Sequence, residues 1–246
     1  MYTLGPLIHN PQVVEQLERD GIKVVEDVHE VPPGGIIVVP SHGVPKETMA
    51  RAKQVGLEIV DVMCPFVRKV QRLAARLHQQ GYQVIVVGDN GHTEVRSIMS
   101  MAGDDALAVS DAAELASRRL KRRVAIVAQT TQTLDKYKEC IQEAAGRTHE
   151  VRAYNTICDA TAERQGAAAD LAKDADVVLV VGGRNSANTK RLAQICASTG
   201  VPSYHIEIAD EMDENWFQGA RKVGITAGAS TPDWIIDEVV ERVKAI

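Results

Sequence analysis

The 246-residue chain reads as an α/β protein. Three small α/β domains with mostly parallel sheets are expected around a pseudo-threefold axis, the first incomplete at its N-terminus. Three observations lead there. Short β-branched runs recur, as IIVV at 36–39, VIVV at 84–87 and DVVLVV at 176–181. Such continuous runs suit strands covered on both faces, as in parallel sheets. Longer amphipathic stretches separate them; Val67, Val70, Leu73, Ala74 and Leu77 follow helical spacing. Finally, the units repeat in a fixed order.

The first kind of unit is an apolar strand, a polar loop and a helix ending at Gly. It spans 3–21 and returns at 84–103 and 178–200. The second kind spans 36–56, with counterparts at 124–146 and 223–243. The third is a strand ending in cysteine and followed by a helix, at 57–77 and 150–172. It occurs twice where a threefold cycle asks for three. Spacing supports the register: Cys64 precedes His92 by 28 residues and Cys158 precedes Asn188 by 30, with His9 in the corresponding place of the first repeat. The expected domains are 1–63, 64–157 and 158–246. The absent cysteine unit is expected before Met1, its cysteine roughly 20 residues upstream.

Composition narrows the function. Charged residues make up 25%, the hydrophobic set 45% and aromatics 4%, so Val, Ile, Leu and Ala must build the core. A net charge of −5 argues against a dedicated nucleic-acid binder. No apolar run approaches the ~18 residues of a membrane span, and MYTLGPLIHN lacks the pattern of a signal peptide. Four scattered cysteines do not make a disulfide framework, and a cytoplasmic location with reduced thiols is expected.

Each loop lies where a strand ends and a helix begins, the edge at which α/β sheets bind ligands. Helix N-termini offer unpaired N–H groups and a positive dipole end, suited to phosphate or diphosphate. The loops add His9, Asn10, Ser41, His42, Asp89, Asn90, His92, Glu94, Gln129, Thr130, Thr131, Asn185, Ser186, Asn188 and Ser230. Each also has a plainer explanation. Ser186, Asn188 and Ser230 suit helix caps, Glu94 suits the first turn of its helix, and His9 and His42 suit helix entry and a turn. Neither a P-loop nor a G-x-G-x-x-G stands at a strand end, so no nucleotide cofactor is indicated.

Cys64 and Cys158 share one slot, at a strand end before a helix, where thiolates are stabilised and bind metals. Cys140 and Cys196 fall inside helical patterns and read as packing residues. A three-cysteine site with threefold symmetry suggests an iron–sulfur cluster with one iron open to substrate. Zinc with Cys and His ligands is the alternative.

The motifs GPLIHNPQVV, PSHGV, DVMCPFVRKVQ, GDNGHTEV, AQTTQT, NTICDAT, GGRNSANT and TAGASTP run through the whole chain. In this order they resemble the 4-hydroxy-3-methylbut-2-enyl diphosphate reductase family of the non-mevalonate isoprenoid pathway. The resemblance implies three α/β domains around a central 4Fe-4S cluster. Of the family's three cysteine ligands, Cys64 and Cys158 match two, and the third lies in an N-terminal segment not found here. It further implies substrate binding by His9, His42, Ser186, Asn188 and Ser230, with His92 and Thr130 near the substrate hydroxyl and Glu94 as proton donor. Ala187 departs from the common NSSN pattern and removes a hydroxyl. The implied reaction is reductive dehydroxylation, with electrons from ferredoxin or flavodoxin. The basic stretch 118–123 offers an acidic donor a meeting place, or simply a solvated helix end. The contrasting expectation is a truncated diphosphate-binding module, or a split-subunit homologue, unable to hold the cluster alone.

Overall fold

The computed structural model describes residues 1–246. Its elements in chain order begin with β1 (Tyr2–Leu4), α1 (Pro11–Arg19), β2 (Lys23–Val25), β3 (Ile36–Val39), α2 (Lys46–Gln54), β4 (Glu58–Asp61) and α3 (Pro65–Gln79). There follow β5 (Gln83–Val87), α4 (Thr93–Met99), β6 (Leu107–Val109), α5 (Ala112–Ala116), β7 (Arg123–Ala128), α6 (Leu134–Ala145), β8 (Glu150–Ala153) and α7 (Asp159–Lys173). The last are β9 (Val177–Val181), α8 (Ala187–Ser198), β10 (Ser203–Ile206), β11 (Val223–Ala227) and α9 (Asp233–Lys244).

Three wholly parallel sheets result, in the orders β2-β1-β3-β4, β6-β5-β7-β8 and β10-β9-β11. The chain divides into two compact units. Residues 1–8 with 17–158 hold the first two sheets; residues 9–16 with 159–246 hold the third. No helix is long and apolar enough to cross a membrane.

The short edge strands β2, β6 and β10 escape the sequence reading. They are three or four residues long and half exposed, too short and too polar to show a period. Each nevertheless fixes the loop beside it. Gly5, Gly88 and Gly182, one residue past the central strands, donate their N–H to Val25, Val109 and Ile206 at 2.8, 2.8 and 2.9 Å. A second bond recurs after β3, β7 and β11, where Gly43, Gln132 and Thr231 donate to Pro40, Gln129 and Gly228 at 2.9, 2.9 and 3.0 Å. The repeats thus share hydrogen bonds as well as apolar pattern.

The helix after each cysteine packs on the next sheet in the chain. Val70, Leu73, Ala74 and Leu77 of α3 cluster with Val84 and Val86 of β5 and with Ala125 and Val127 of β7. Helices α5 and α6 close the other face through Leu115, Tyr137, Cys140 and Ala144. Full burial of each large aliphatic side chain contributes about 1.5–3 kcal/mol. In the second unit, α7 and α8 cover one face of the third sheet through Ala168, Ala172, Leu192 and Cys196. Helix α9 covers the other with Ile235 and Val239. Cys140 and Cys196 are fully buried, as their helical spacing predicts, and burial raises both thiol pKa values, that of Cys140 to about 11.

Candidate functional site

In the first unit the loops after β5 and β7 build a buried carboxylate site. His92 caps α4: its Nδ1 accepts the Glu94 N–H at 3.1 Å. That bond requires an unprotonated Nδ1, so a neutral His92 carries its proton on Nε2. The cap starts the helix so that Glu94 falls in its first turn, where the dipole favours a carboxylate. Yet Glu94 is only 3% exposed, unlike a solvated first-turn glutamate. A carboxylate so buried needs hydrogen bonds, and Thr130 provides two. Its N–H reaches Glu94 Oε1 at 2.7 Å and its hydroxyl reaches Oε2 at 2.9 Å.

Thr130 makes a third connection, its carbonyl accepting the Cys158 N–H at 2.9 Å. Ser41 does the same for Cys64, also at 2.9 Å. Cys64 is the N-cap of α3, with Pro65 at the first helical position, where a missing N–H costs nothing. Cys158 directly precedes α7. Both thiols are free and half-buried. Their shared slot is therefore a shared backbone geometry.

His42 is buried, its carbonyl 3.1 Å from Ser97 Oγ. Its ring lies edge-on to that of His92, centroids 6.3 Å apart. Ser97 also reaches the Glu94 carbonyl at 2.8 Å, so it links the His42 loop to the turn bearing Glu94. The sequence reading misses Ser97; its signal was the three-residue helical spacing from Glu94. Gly88 leaves no room for a side chain. A Cβ there would lie 2.7 Å from Val95 and 2.8 Å from Gln129 Cβ. Gln129, fully buried, accepts the Asp89 N–H through Oε1 and ties the two loops together.

The second unit places the other predicted residues around α8. Ser186 caps this helix, its Oγ accepting the Thr189 N–H at 3.2 Å. Asn188, in the first turn, is 6% exposed, and neither its Oδ1 nor its Nδ2 has a partner within the protein. An unsatisfied buried polar group costs about 1–3 kcal/mol, and this residue carries two. His9 is half-buried; desolvation first, and then the charge of Lys190, hold its pKa below the ordinary value. Ser230 Oγ lies 3.5 Å from the His9 carbonyl. A Cβ at Gly183 would sit 2.4 Å from that same oxygen, so glycine permits the close approach.

Two expectations from the repeat need adjustment. The counterpart of His92 is the next helix cap, Ser186, which follows Cys158 by the same 28 residues. Asn188 therefore corresponds to Glu94, two residues into the helix. In the first repeat the corresponding cap is Asn10, whose Oδ1 accepts the Val13 N–H at 3.0 Å, rather than His9. The loop before it is one residue longer, which shifted the count. The basic stretch 118–123 is largely neutralised: Arg118 pairs with Glu114, Lys121 with Asp105 and Arg123 with Glu150.

No group of three or more His, Cys, Asp or Glu side chains suited to a metal converges in the chain. Cys64 and Cys158 are free, half-buried thiols at helix starts, with the chemistry of cluster ligands.

The chain matches the LytB protein family over residues 1–244. It is 50% identical over 245 residues to the 4-hydroxy-3-methylbut-2-enyl diphosphate reductase of a Geobacter species, covering 100% of this chain and 87% of the relative. The enzyme of the same name from a Nitratiruptor species is 42% identical, with 99% and 89% covered. Two solved structures are similar over 100% of the chain. One is an (E)-4-hydroxy-3-methyl-but-2-enyl diphosphate reductase, described as the terminal enzyme of the non-mevalonate pathway, at 40% identity and TM-score 0.70, with 88% of that structure covered. The other is the E-1-hydroxy-2-methyl-but-2-enyl-4-diphosphate reductase of Plasmodium falciparum, at 26% identity and TM-score 0.93, with 77% covered. A family match over residues 1–244, with relatives about half identical along the whole chain, places it in the LytB protein family.

Proposed function

We propose that the chain is an oxidoreductase that converts 4-hydroxy-3-methylbut-2-enyl diphosphate into isopentenyl and dimethylallyl diphosphate. The balance is an allylic alcohol plus two electrons and two protons, giving an alkene and water. The observation that carries the reading is the buried Glu94–Thr130 pair joined to the Cys158 loop.

Hydroxide is a poor leaving group, and a positioned carboxylic acid is the usual remedy. Glu94 is assigned that task. Glu94 Oε2 lies 2.9 Å from Thr130 Oγ1, which can accept a proton from it and turn its own proton toward the substrate hydroxyl. The Thr130 N–H holds Oε1 throughout and fixes the carboxyl plane. His92, with Nδ1 engaged by the helix, presents Nε2–H as a donor near the hydroxyl end. Burial of Glu94 keeps water from dissipating the proton.

By their motifs, His9, His42, Ser186, Asn188 and Ser230 are assigned to the diphosphate. The unpaired amide of Asn188 supports this best, since a ligand would satisfy it. A lowered His9 pKa leaves that imidazole neutral until an anion arrives to favour its charged form. Cys64 and Cys158 would hold an iron–sulfur cluster, which when bound supplies the electrons one at a time. Ferredoxin or flavodoxin is the proposed source.

Anaerobic reconstitution with iron and sulfide, followed by turnover with reduced viologen, tests the assignment. A bound cluster and formation of both products are expected. A second reading, a diphosphate-binding module without a cluster, rests on the presence of only two candidate thiols. Diphosphate binding without iron retention would favour it.

A further inference from the structure

Helix α3 has a second face that the proton-delivery site does not use. Pro65, Arg68, Lys69, Arg72 and Arg76 recur every three or four residues, opposite the buried stripe of Val70, Ala74 and Leu77. With Leu73 and Tyr154 they line an open groove of about 540 Å³. Arg68 pairs with Asp61 at 2.9 Å. Lys69, Arg72 and Arg76 are exposed and form no ion pair. On a chain of net charge −5, this is a local reversal of sign.

Position makes the groove informative. Pro65, at one end, follows Cys64 directly; Tyr154, on its wall, precedes Cys158 by four residues. Phe66 and Val62, on either side of Cys64, are exposed at 43% and 45%. A basic strip with apolar side chains at its cysteine end therefore leads to both thiol loops of the first unit. From Pro65 to Arg76 the strip runs ~17 Å along the helix. That is ample for the small interfaces of electron-transfer encounters, which stay below ~1,200 Å².

We propose that this groove is the docking face for a small acidic electron-carrier protein. The inference rests on the reading of Cys64 and Cys158 as cluster ligands. Lys69, Arg72 and Arg76 attract and orient the carrier, and the apolar patch around Cys64 seats it. Long-range attraction of this kind raises the encounter rate and weakens with salt. The stretch 118–123 has most of its charge paired and is not this face.

The test is the triple substitution Lys69→Glu, Arg72→Glu and Arg76→Glu, with Arg72→Glu alone as a milder variant. A reduced acidic flavodoxin is the probe. Calorimetric titration should show its Kd raised about tenfold or more in the triple variant, with the salt dependence largely lost. The KM for flavodoxin should rise in parallel, while viologen-driven turnover stays within about twofold of the parent. Arg119→Glu with Arg122→Glu, on the other basic stretch, should change neither value. An unchanged flavodoxin Kd in the triple variant overturns the inference. Oligouridylate binding that the triple variant abolishes, without flavodoxin binding by the parent, assigns the groove to nucleic acid instead and also overturns it. Absence of viologen-driven turnover in the parent would strike the reductase reading alone, and the calorimetry would still decide the groove.

Discussion

Thr130→Val isolates the hydroxyl that faces Glu94. Valine keeps the branched shape and the backbone N–H, so the 2.7 Å bond to Oε1 survives while the 2.9 Å bond to Oε2 is lost. A hydrogen bond to a charged group contributes about 1.5–3 kcal/mol. If Thr130 both holds and relays the Glu94 proton, that energy appears in the barrier. At about 1.36 kcal/mol per factor of ten, kcat should fall roughly 10- to 150-fold. KM should change little, because the diphosphate is assigned to other groups. Thr130→Ser, which restores a hydroxyl, should recover most of the rate. Glu94→Gln alone should nearly abolish turnover and leave substrate binding largely intact. The decisive measurement is the double-mutant cycle. Residues that act as one unit are not additive, so the double variant should be little slower than Glu94→Gln. A Thr130→Val enzyme with the parent kcat, or a double variant whose loss equals the sum of the two singles, would refute the relay.

Three further outcomes are expected. Gly88→Ala puts a Cβ 2.7 Å from Val95 and 2.8 Å from Gln129 beneath the Glu94 site, so it should cost about 1–3 kcal/mol in chemical denaturation and slow turnover as well. Cys64→Ser should abolish the brown absorbance of a reconstituted cluster while the far-ultraviolet dichroism is kept; retained absorbance would make Cys64 structural. Glu114 is held down to about 2, first by its hydrogen bond to Arg118 and then by the Ser110 N–H. Its contribution to stability is therefore present above pH ~4.5 and lost as pH falls toward ~2. The gap in Tm between the parent and Glu114→Gln should close across that window, and a gap independent of pH would contradict the assignment.

The sequence carried most of the architecture because each repeat marks its central strands with apolar runs. VIVV at 84–87 and DVVLVV at 176–181 correspond to β5 and β9, each buried along its whole length. β2, β6 and β10 were invisible for the opposite reason, since a strand of three or four residues with one open edge needs little apolar surface. At the site, residue types were legible but partnerships were not. Glu94 reads equally as a dipole-complementing first-turn acid and as a buried acid, and only its burial against Thr130, 36 residues away, separates the two. Asn188 likewise reads as a cap, a role that Ser186 in fact fills. The equal 28-residue spacing from cysteine to helix cap marks Ser186, not Asn188, as the counterpart of His92, and in the first repeat a loop one residue longer moves the cap from His9 to Asn10.

Those repeated bonds also show how one loop position takes on different work. Ser41 and Thr130 stand in the same place, each accepting the following cysteine's N–H at 2.9 Å. Ser41 turns its hydroxyl to the Leu7 carbonyl at 3.3 Å, a bond within the scaffold. Thr130 turns its hydroxyl to a carboxylate instead. The third repeat has Ala229 two residues beyond the strand end, where a hydroxyl has been dispensed with. The backbone role is common to both cysteine-bearing repeats, and the side-chain role belongs to one. Thr130 consequently ties the proposed proton donor and a proposed cluster ligand to a single residue. A shift of the Cys158 loop would move the Thr130 carbonyl and with it both bonds to Glu94. Proton delivery and electron supply then share one rigid element, and a displacement of the Thr130 backbone, unlike loss of its hydroxyl alone, should be felt in the Cys158 loop as well as at Glu94.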